Sequence, residues 1–154
     1  MYHTVKNIYI KRPPEDVFTF ITNPANSPRY QFGTEYAEWI SDPPFGVGSI
    51  WKAGLSFLGR KFEAELQLTE WQPPNQNSYK VIRGSVPLEV NVKVDAQNGG
   101  SELIQEIWVE LDGVFKLAEG LVGKQLERQI EADLQALKHL LEMSTTGGTT
   151  VSKA

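Results

Sequence analysis

The sequence predicts an α+β domain in which a strongly curved antiparallel sheet of about seven strands wraps one long C-terminal helix, in the order β-α-α-β6-α. Three observations predict it. From Val114 to Glu142, Phe115, Ala118, Val122, Leu126, Ile130, Leu134, Leu137 and Leu141 recur at steps of three or four, one apolar stripe with Leu117 and Leu121 on its flank. From Glu35 to Leu111 the period changes to two, the alternation of antiparallel strands with one wet face. Short turn signals join these strands, as in a run of hairpins. A stripe that long must lie on something large, and the strands are the only candidate. A sheet gripping one long helix often leaves its interior partly hollow, so an internal apolar cavity is expected.

In order along the chain, Tyr2–Lys11 alternates Val5, Ile8 and Ile10 with Lys6, Asn7 and Lys11 and reads as the first strand. Arg12-Pro13-Pro14-Glu15-Asp16 stops it and starts a short helix through Val17, Phe18, Phe20 and Ile21. Proline suits a first turn because its missing N–H would be unpaired there, and the acids suit the positive end of the helix dipole. Asn23-Pro24 closes that helix, and Ala25–Tyr30 is expected to be a second, capped by Asn26 or Ser27. Strands follow at Glu35–Ser41, Ser49–Leu58, Lys61–Trp71, Ser78–Arg83, Val86–Val94 and Glu102–Leu111. Asp42-Pro43-Pro44, Gly46-Val47-Gly48, Gly59-Arg60, Pro73-Pro74-Asn75 and Asn98-Gly99-Gly100 separate them. Residues 1–143 make one domain, and Ser144–Ala154, almost without apolar side chains, is expected to be a disordered tail.

Composition narrows the function. The 154 residues carry a net charge of −4 and a pI near 5.2, which argues against nucleic acid as a partner. Arg12, Lys11, Arg60 and Lys61 read as solvated strand ends rather than a basic patch. With no cysteine, disulfides, thiolate metal sites and cysteine nucleophiles are excluded. The two histidines, His3 and His139, lie far apart with no ligand spacing, so neither a metal nor another cofactor is expected. No apolar run reaches the ~20 residues of a membrane helix, and Met1-Tyr2-His3-Thr4 lacks a signal-peptide core, so a cytoplasmic location is expected. No phosphate-loop, dinucleotide or nucleophile-elbow motif occurs; Gly46–Trp51 (GVGSIW) lacks the helix a phosphate loop needs. Nothing in the sequence sets an oligomeric state.

If the apolar face of the sheet turns toward the helix, Trp51, Ala53, Leu55 and Phe57 point inward with Phe62, Ala64, Leu66, Leu68, Leu88, Val90, Val92, Leu103, Ile107 and Val109. The helix adds Leu117, Leu121 and Val122. Gly54, Gly120 and Gly123 are small where bulk would fill space; two helical glycines so close suggest tight packing, a bend or room for a guest. By parity alone these residues fit a dry core as well as a hollow one. Two polar residues share the inward parity: Gln105 in the row Leu103, Ile107, Val109, and Arg83 with Tyr79 and Val81. Glu63/Glu65 and Glu106/Glu110 point outward, and Glu127, Arg128, Glu131, Asp133 and Lys138 read as the helix's wet side.

Over residues 4–142 the chain resembles the START-related helix-grip superfamily (SRPBCC), in particular its polyketide cyclase/dehydrase and lipid-transport branch. The resemblance rests on IKRPPEDVFTFITNPANSPRYQ at Ile10–Gln31, GVGSIW at Gly46–Trp51 and LGRKFEAELQLTEWQPP at Leu58–Pro74. NGGSEL at Asn98–Leu103 and EGLVGKQLERQIEADLQALKHLLE at Glu119–Glu142 complete it. No one motif is diagnostic; their order and spacing carry the likeness. It implies a helix-grip fold and a small hydrophobic ligand (lipid, quinone, polyketide or aromatic compound) between sheet and helix. It also places Arg29 and Tyr30 at the cavity mouth. The expected ligand-binding set is therefore Tyr30, Trp51, Leu55, Phe57, Phe62, Leu66, Tyr79, Arg83, Val90, Gln105, Ile107, Leu117 and Leu121. The alternative is a cyclase/dehydrase-like enzyme acting on a poly-carbonyl or aromatic substrate without metal or covalent cofactor. The oxygenase branch, with its histidine/carboxylate iron site, is excluded by the histidine count.

Overall fold

The computed structural model describes residues 1–111 and 116–143. Its elements are β1 (Tyr2–Ile10), α1 (Pro14–Ile21), a 3₁₀ helix (Pro24–Arg29), β2 (Thr34–Trp39), β3 (Ile50–Phe57), β4 (Arg60–Gln72), β5 (Gln76–Arg83), β6 (Leu88–Gln97), β7 (Gly100–Val109) and α2 (Glu119–Met143). The strands form one antiparallel sheet in the order β1-β7-β6-β5-β4-β3-β2, a half-barrel of the helix-grip type. Period-two alternation has become one face toward α2 and one toward water. Two hairpins turn on residue pairs with positive φ, Leu58-Gly59 (50° and 78°) and Asn98-Gly99 (47° and 78°), whose twist matches the flanking strands. The first turn thus lies one residue earlier than the expected Gly59-Arg60. Register shifts between Thr34 and Tyr36, Glu65 and Leu66, and Leu68 and Glu70 bend the sheet.

The second short helix is 3₁₀, with prolines at 24 and 28, and its cap is neither expected residue. Asn23 accepts from Ala25 N at 3.2 Å, while the buried Asn26 donates Nδ2 to Phe20 O at 3.0 Å, tying this turn to α1.

Polar and apolar contacts to β1 seat α2. Tyr2 lays its ring on Gly123, where a Cβ would come within 2.6 Å of the ring, and its hydroxyl donates to Glu127. Lys6 Nζ reaches Glu127 at 3.0 Å and Glu131 at 2.9 Å. Lys138 Nζ donates to Tyr9 O at 2.7 Å, and Lys11 N to Glu142 at 2.8 Å. The buried Arg12 donates Nη1 to Leu141 O at 2.7 Å and pairs with Asp16, satisfying a carbonyl at the helix's C-terminal end. Glu127, Glu131 and Lys138 are therefore docking contacts, not a purely wet face. Of the small helical residues, Gly123 marks close packing, whereas Gly120 faces open space.

The core falls into two clusters. Ile10, Val17, Phe18, Phe20, Val94, Leu103, Leu137 and Leu141 pack tightly under α1. Ala37, Trp51, Ala53, Ala64, Leu66 and Leu68 cover the inner face of β2–β4. Among the described residues no helix is long and apolar enough to cross a membrane. The tail Ser144–Ala154 and the stripe residue Phe115 lie outside the described residues.

Candidate functional site: a cavity between sheet and helix

Between the two clusters lies a cavity of about 270 Å³. Its origin is legible in the register. Ala37 and Ala53, direct cross-strand partners on β2 and β3, both line it, so two adjacent inward positions carry one methyl each; Ala64 continues the row on β4 but lies covered beside Gly84. Val122, Leu126, Ile130, Leu134 and Leu137 of α2 face this shallow ground. The segment after the 3₁₀ helix closes the side beyond β2: Gly33 leaves room for the Gln129 side chain, and Phe32 N donates to Asp133 Oδ1 at 3.1 Å.

Tyr30, Trp51, Leu55, Phe57, Phe62, Leu66, Tyr79, Val90, Gln105 and Ile107 all line the cavity. Three expected residues do not. Leu117 is 90% and Leu121 75% exposed. The buried stripe begins at Val122, and roughly 100° per residue turns Leu121 off it. Arg83 is exposed: the shift that pairs Glu65 with Arg83 but Leu66 with Val81 inserts one residue, and the parity shared with Tyr79 ends there. Gly54 leaves room not for a guest but for the Tyr36 ring. Arg29 makes no ion pair among the described residues; its guanidinium lies 5.4 Å from the Phe20 ring centre.

Among the lining residues that escaped the sequence reading are Glu110, expected to point outward, and two more deeply set groups, Asn77 and Asp133. Asn77 is 4% exposed, and its Oδ1 has no hydrogen-bond partner among the described residues. It sits in the row Trp71–Asn77–Val92–Gln105, which places two amides on one line across the sheet floor. Its signal was parity with Tyr79, hidden by starting the strand at Ser78. Asp133, read as part of the wet side, lies three residues after Ile130 and four before Leu137, so it falls on the stripe. Burial pushes its carboxyl up from 3.8 to about 6, opposed by the Phe32 hydrogen bond.

The Trp51 ring meets its aromatic neighbours edge to face, and Tyr30 is tilted against Phe20. Trp51 meets Tyr79 at 5.0 Å and Trp39 at 5.6 Å, and Tyr30 lies 5.9 Å from Phe20. Desolvation raises the Tyr79 phenol to about 12 and pushes the Tyr30 phenol further up. Neither hydroxyl is hydrogen-bonded among the described residues, so both remain neutral donor–acceptors facing the hollow. No three His, Asp or Glu side chains converge among the described residues.

The model of the family described as polyketide cyclase / dehydrase and lipid transport matches residues 1–142. No curated protein matches the chain by sequence. Similar folds include TTHA0849 of Thermus thermophilus, with 20% identity, TM-score 0.81, and 94% of this chain and 99% of that one covered. A START superfamily protein from Mycobacterium smegmatis has 13% identity, TM-score 0.78, and coverage of 94% and 100%. The di-domain ARO/CYC BexL from the BE-7585A biosynthetic pathway has 15% identity and TM-score 0.73; 96% of this chain covers 48% of that one.

Proposed function

The chain belongs to the polyketide cyclase/dehydrase and lipid transport family, and we propose that it binds one small, largely apolar molecule between sheet and α2. One observation carries this reading. The hollow is apolar on most of its surface yet holds a few polar groups, Asn77, Tyr30 and Tyr79, that the protein itself leaves unpaired. Such a lining orients a guest while burial of apolar area, at roughly 25 cal/mol per Å², drives binding. Trp51, Leu55, Phe57, Phe62, Leu66, Val90 and Ile107 would contact its apolar body, and Gln105, Tyr79 and Tyr30 its polar end. The test is titration with N-phenyl-1-naphthylamine, a neutral dye that brightens in apolar surroundings. Saturable one-to-one binding that Ala53→Phe abolishes supports the reading. No binding, or binding indifferent to Ala53→Phe, refutes it.

Asp133 favours a second reading, an enzyme of the cyclase/dehydrase type. A carboxylate on the cavity wall that titrates near 6 is suited to take a proton from carbon beside a carbonyl, with the Tyr30 hydroxyl donating to the enolate oxygen. The likeness of fold to an ARO/CYC protein accords with it. Turnover of a poly-carbonyl substrate that Asp133→Asn removes while dye binding persists would establish it; unchanged turnover would exclude this role.

A further inference from the structure

The charges bordering the cavity are unbalanced. No lysine, arginine or histidine lines it among the described residues, and the two ionisable acids that do are Asp133 and Glu110. An anion placed inside would lose its water, meet no counter-charge and face a carboxylate. A buried charge without a partner is far more unfavourable than any one hydrogen bond is favourable.

The deep polar group has the opposite requirement. Asn77 Oδ1 is an acceptor with no donor, on a strand whose neighbouring polar side chains are occupied elsewhere: Ser78 Oγ donates to Asn91 Oδ1 at 2.7 Å, and Gln76 Nε2 to the same oxygen at 3.1 Å. Asn77 and Tyr79 are two residues apart on one face of β5, so a polar end reaching one lies beside the other.

Resting on the ligand-site reading above, we propose that the cavity selects uncharged molecules carrying a hydrogen-bonding group, seated with that group on the Asn77 side-chain amide, and rejects carboxylates and phosphates. The guest is the size of a fused two-ring compound: an apolar cavity of roughly 150 Å³ holds benzene, and this one has about 270 Å³. A hydroxylated aromatic or alicyclic molecule fits; a fatty acid or phospholipid headgroup does not.

The experiment is displacement of N-phenyl-1-naphthylamine at pH 7.5 by naphthalene, 2-naphthol and 2-naphthoate, three probes of one shape that differ in their polar group. On the wild type, 2-naphthol should bind about 3- to 10-fold tighter than naphthalene, the worth of one net hydrogen bond. 2-Naphthoate should bind at least about tenfold weaker than naphthalene, and Asp133→Asn should narrow that gap. Asn77→Leu should erase the advantage of 2-naphthol while leaving naphthalene binding unchanged, with the dye weakened by no more than the same roughly 3- to 10-fold. Naphthoate binding as tightly as naphthol, or a naphthol advantage that survives Asn77→Leu, overturns the proposal. If the dye binds but the three probes rank equally, only the selectivity falls. If the dye does not bind the wild type, the ligand site falls and the selectivity with it.

Discussion

Replacing Asp133 by asparagine should stabilise the fold at neutral pH, although it removes a charge from a helix. The acceptor is retained: asparagine presents the same Oδ1 to Phe32 N, now at 3.1 Å. What disappears is a carboxylate held among Ile130, Leu134 and Leu137. Burial raises its folded pKa from 3.8 to about 6, so between those values the folded chain holds a proton that the unfolded chain has released. The stabilisation from protonation is complete below pH 3.8 and vanishes as pH rises through about 6. Above that, the wild type folds with the charge in place and bears its desolvation. At 1.36 kcal/mol per pH unit the gap is at most about 3 kcal/mol. Because solvent reaches part of this side chain, about 1–1.5 kcal/mol is the expected gain. Urea unfolding at pH 8 and pH 4 measures it: Asp133→Asn should be more stable by that amount at pH 8, with the difference collapsing at pH 4. No gain at pH 8, or a gain that grows on acidification, refutes the argument.

Asn77→Leu should leave stability unchanged or raise it by about 1–2 kcal/mol, because it removes a buried acceptor that lacks a donor; chemical denaturation without added ligand is the check. The two helical glycines should respond oppositely to alanine. Gly123→Ala drives a methyl into the Tyr2 ring and should cost about 1–3 kcal/mol, whereas Gly120→Ala meets open space and should gain up to about 1 kcal/mol; paired thermal melts separate them. Arg12→Met should cost about 2–4 kcal/mol in the same melts, since it strips a charge-assisted hydrogen bond from the buried Leu141 carbonyl and leaves Asp16 without its partner.

Much of the fold was legible because one face of each strand is buried, which makes parity informative. Phe62, Leu66 and Leu68, or Val90, Val92 and Val94, point as alternation requires, and the stripe from Val122 to Leu141 lies where its spacing puts it. Parity fails where the backbone adds a residue. The irregularity beside Glu65 turned Arg83 outward, and no side chain announces it. Asn77 was lost because Pro73-Pro74-Asn75 reads as a longer break than it is. Asp133 was lost because a charged residue on an amphipathic helix is ordinarily wet. Both misses are polar groups at positions where the pattern of the strand or helix calls for an apolar one. The hollow itself was not readable from parity; the cross-strand alignment of Ala37 and Ala53 depends on register, and two alanines far apart in sequence do not reveal it.

The most direct measurement is a crystal structure of the protein grown with N-phenyl-1-naphthylamine. The account predicts dye density between the sheet and α2, lying over Ala53 and against the Trp51 and Tyr79 rings, with its amine toward Asn77. Density only on the outer surface, or side chains of α2 packed onto Ala37 and Ala53 with no space between, would contradict it.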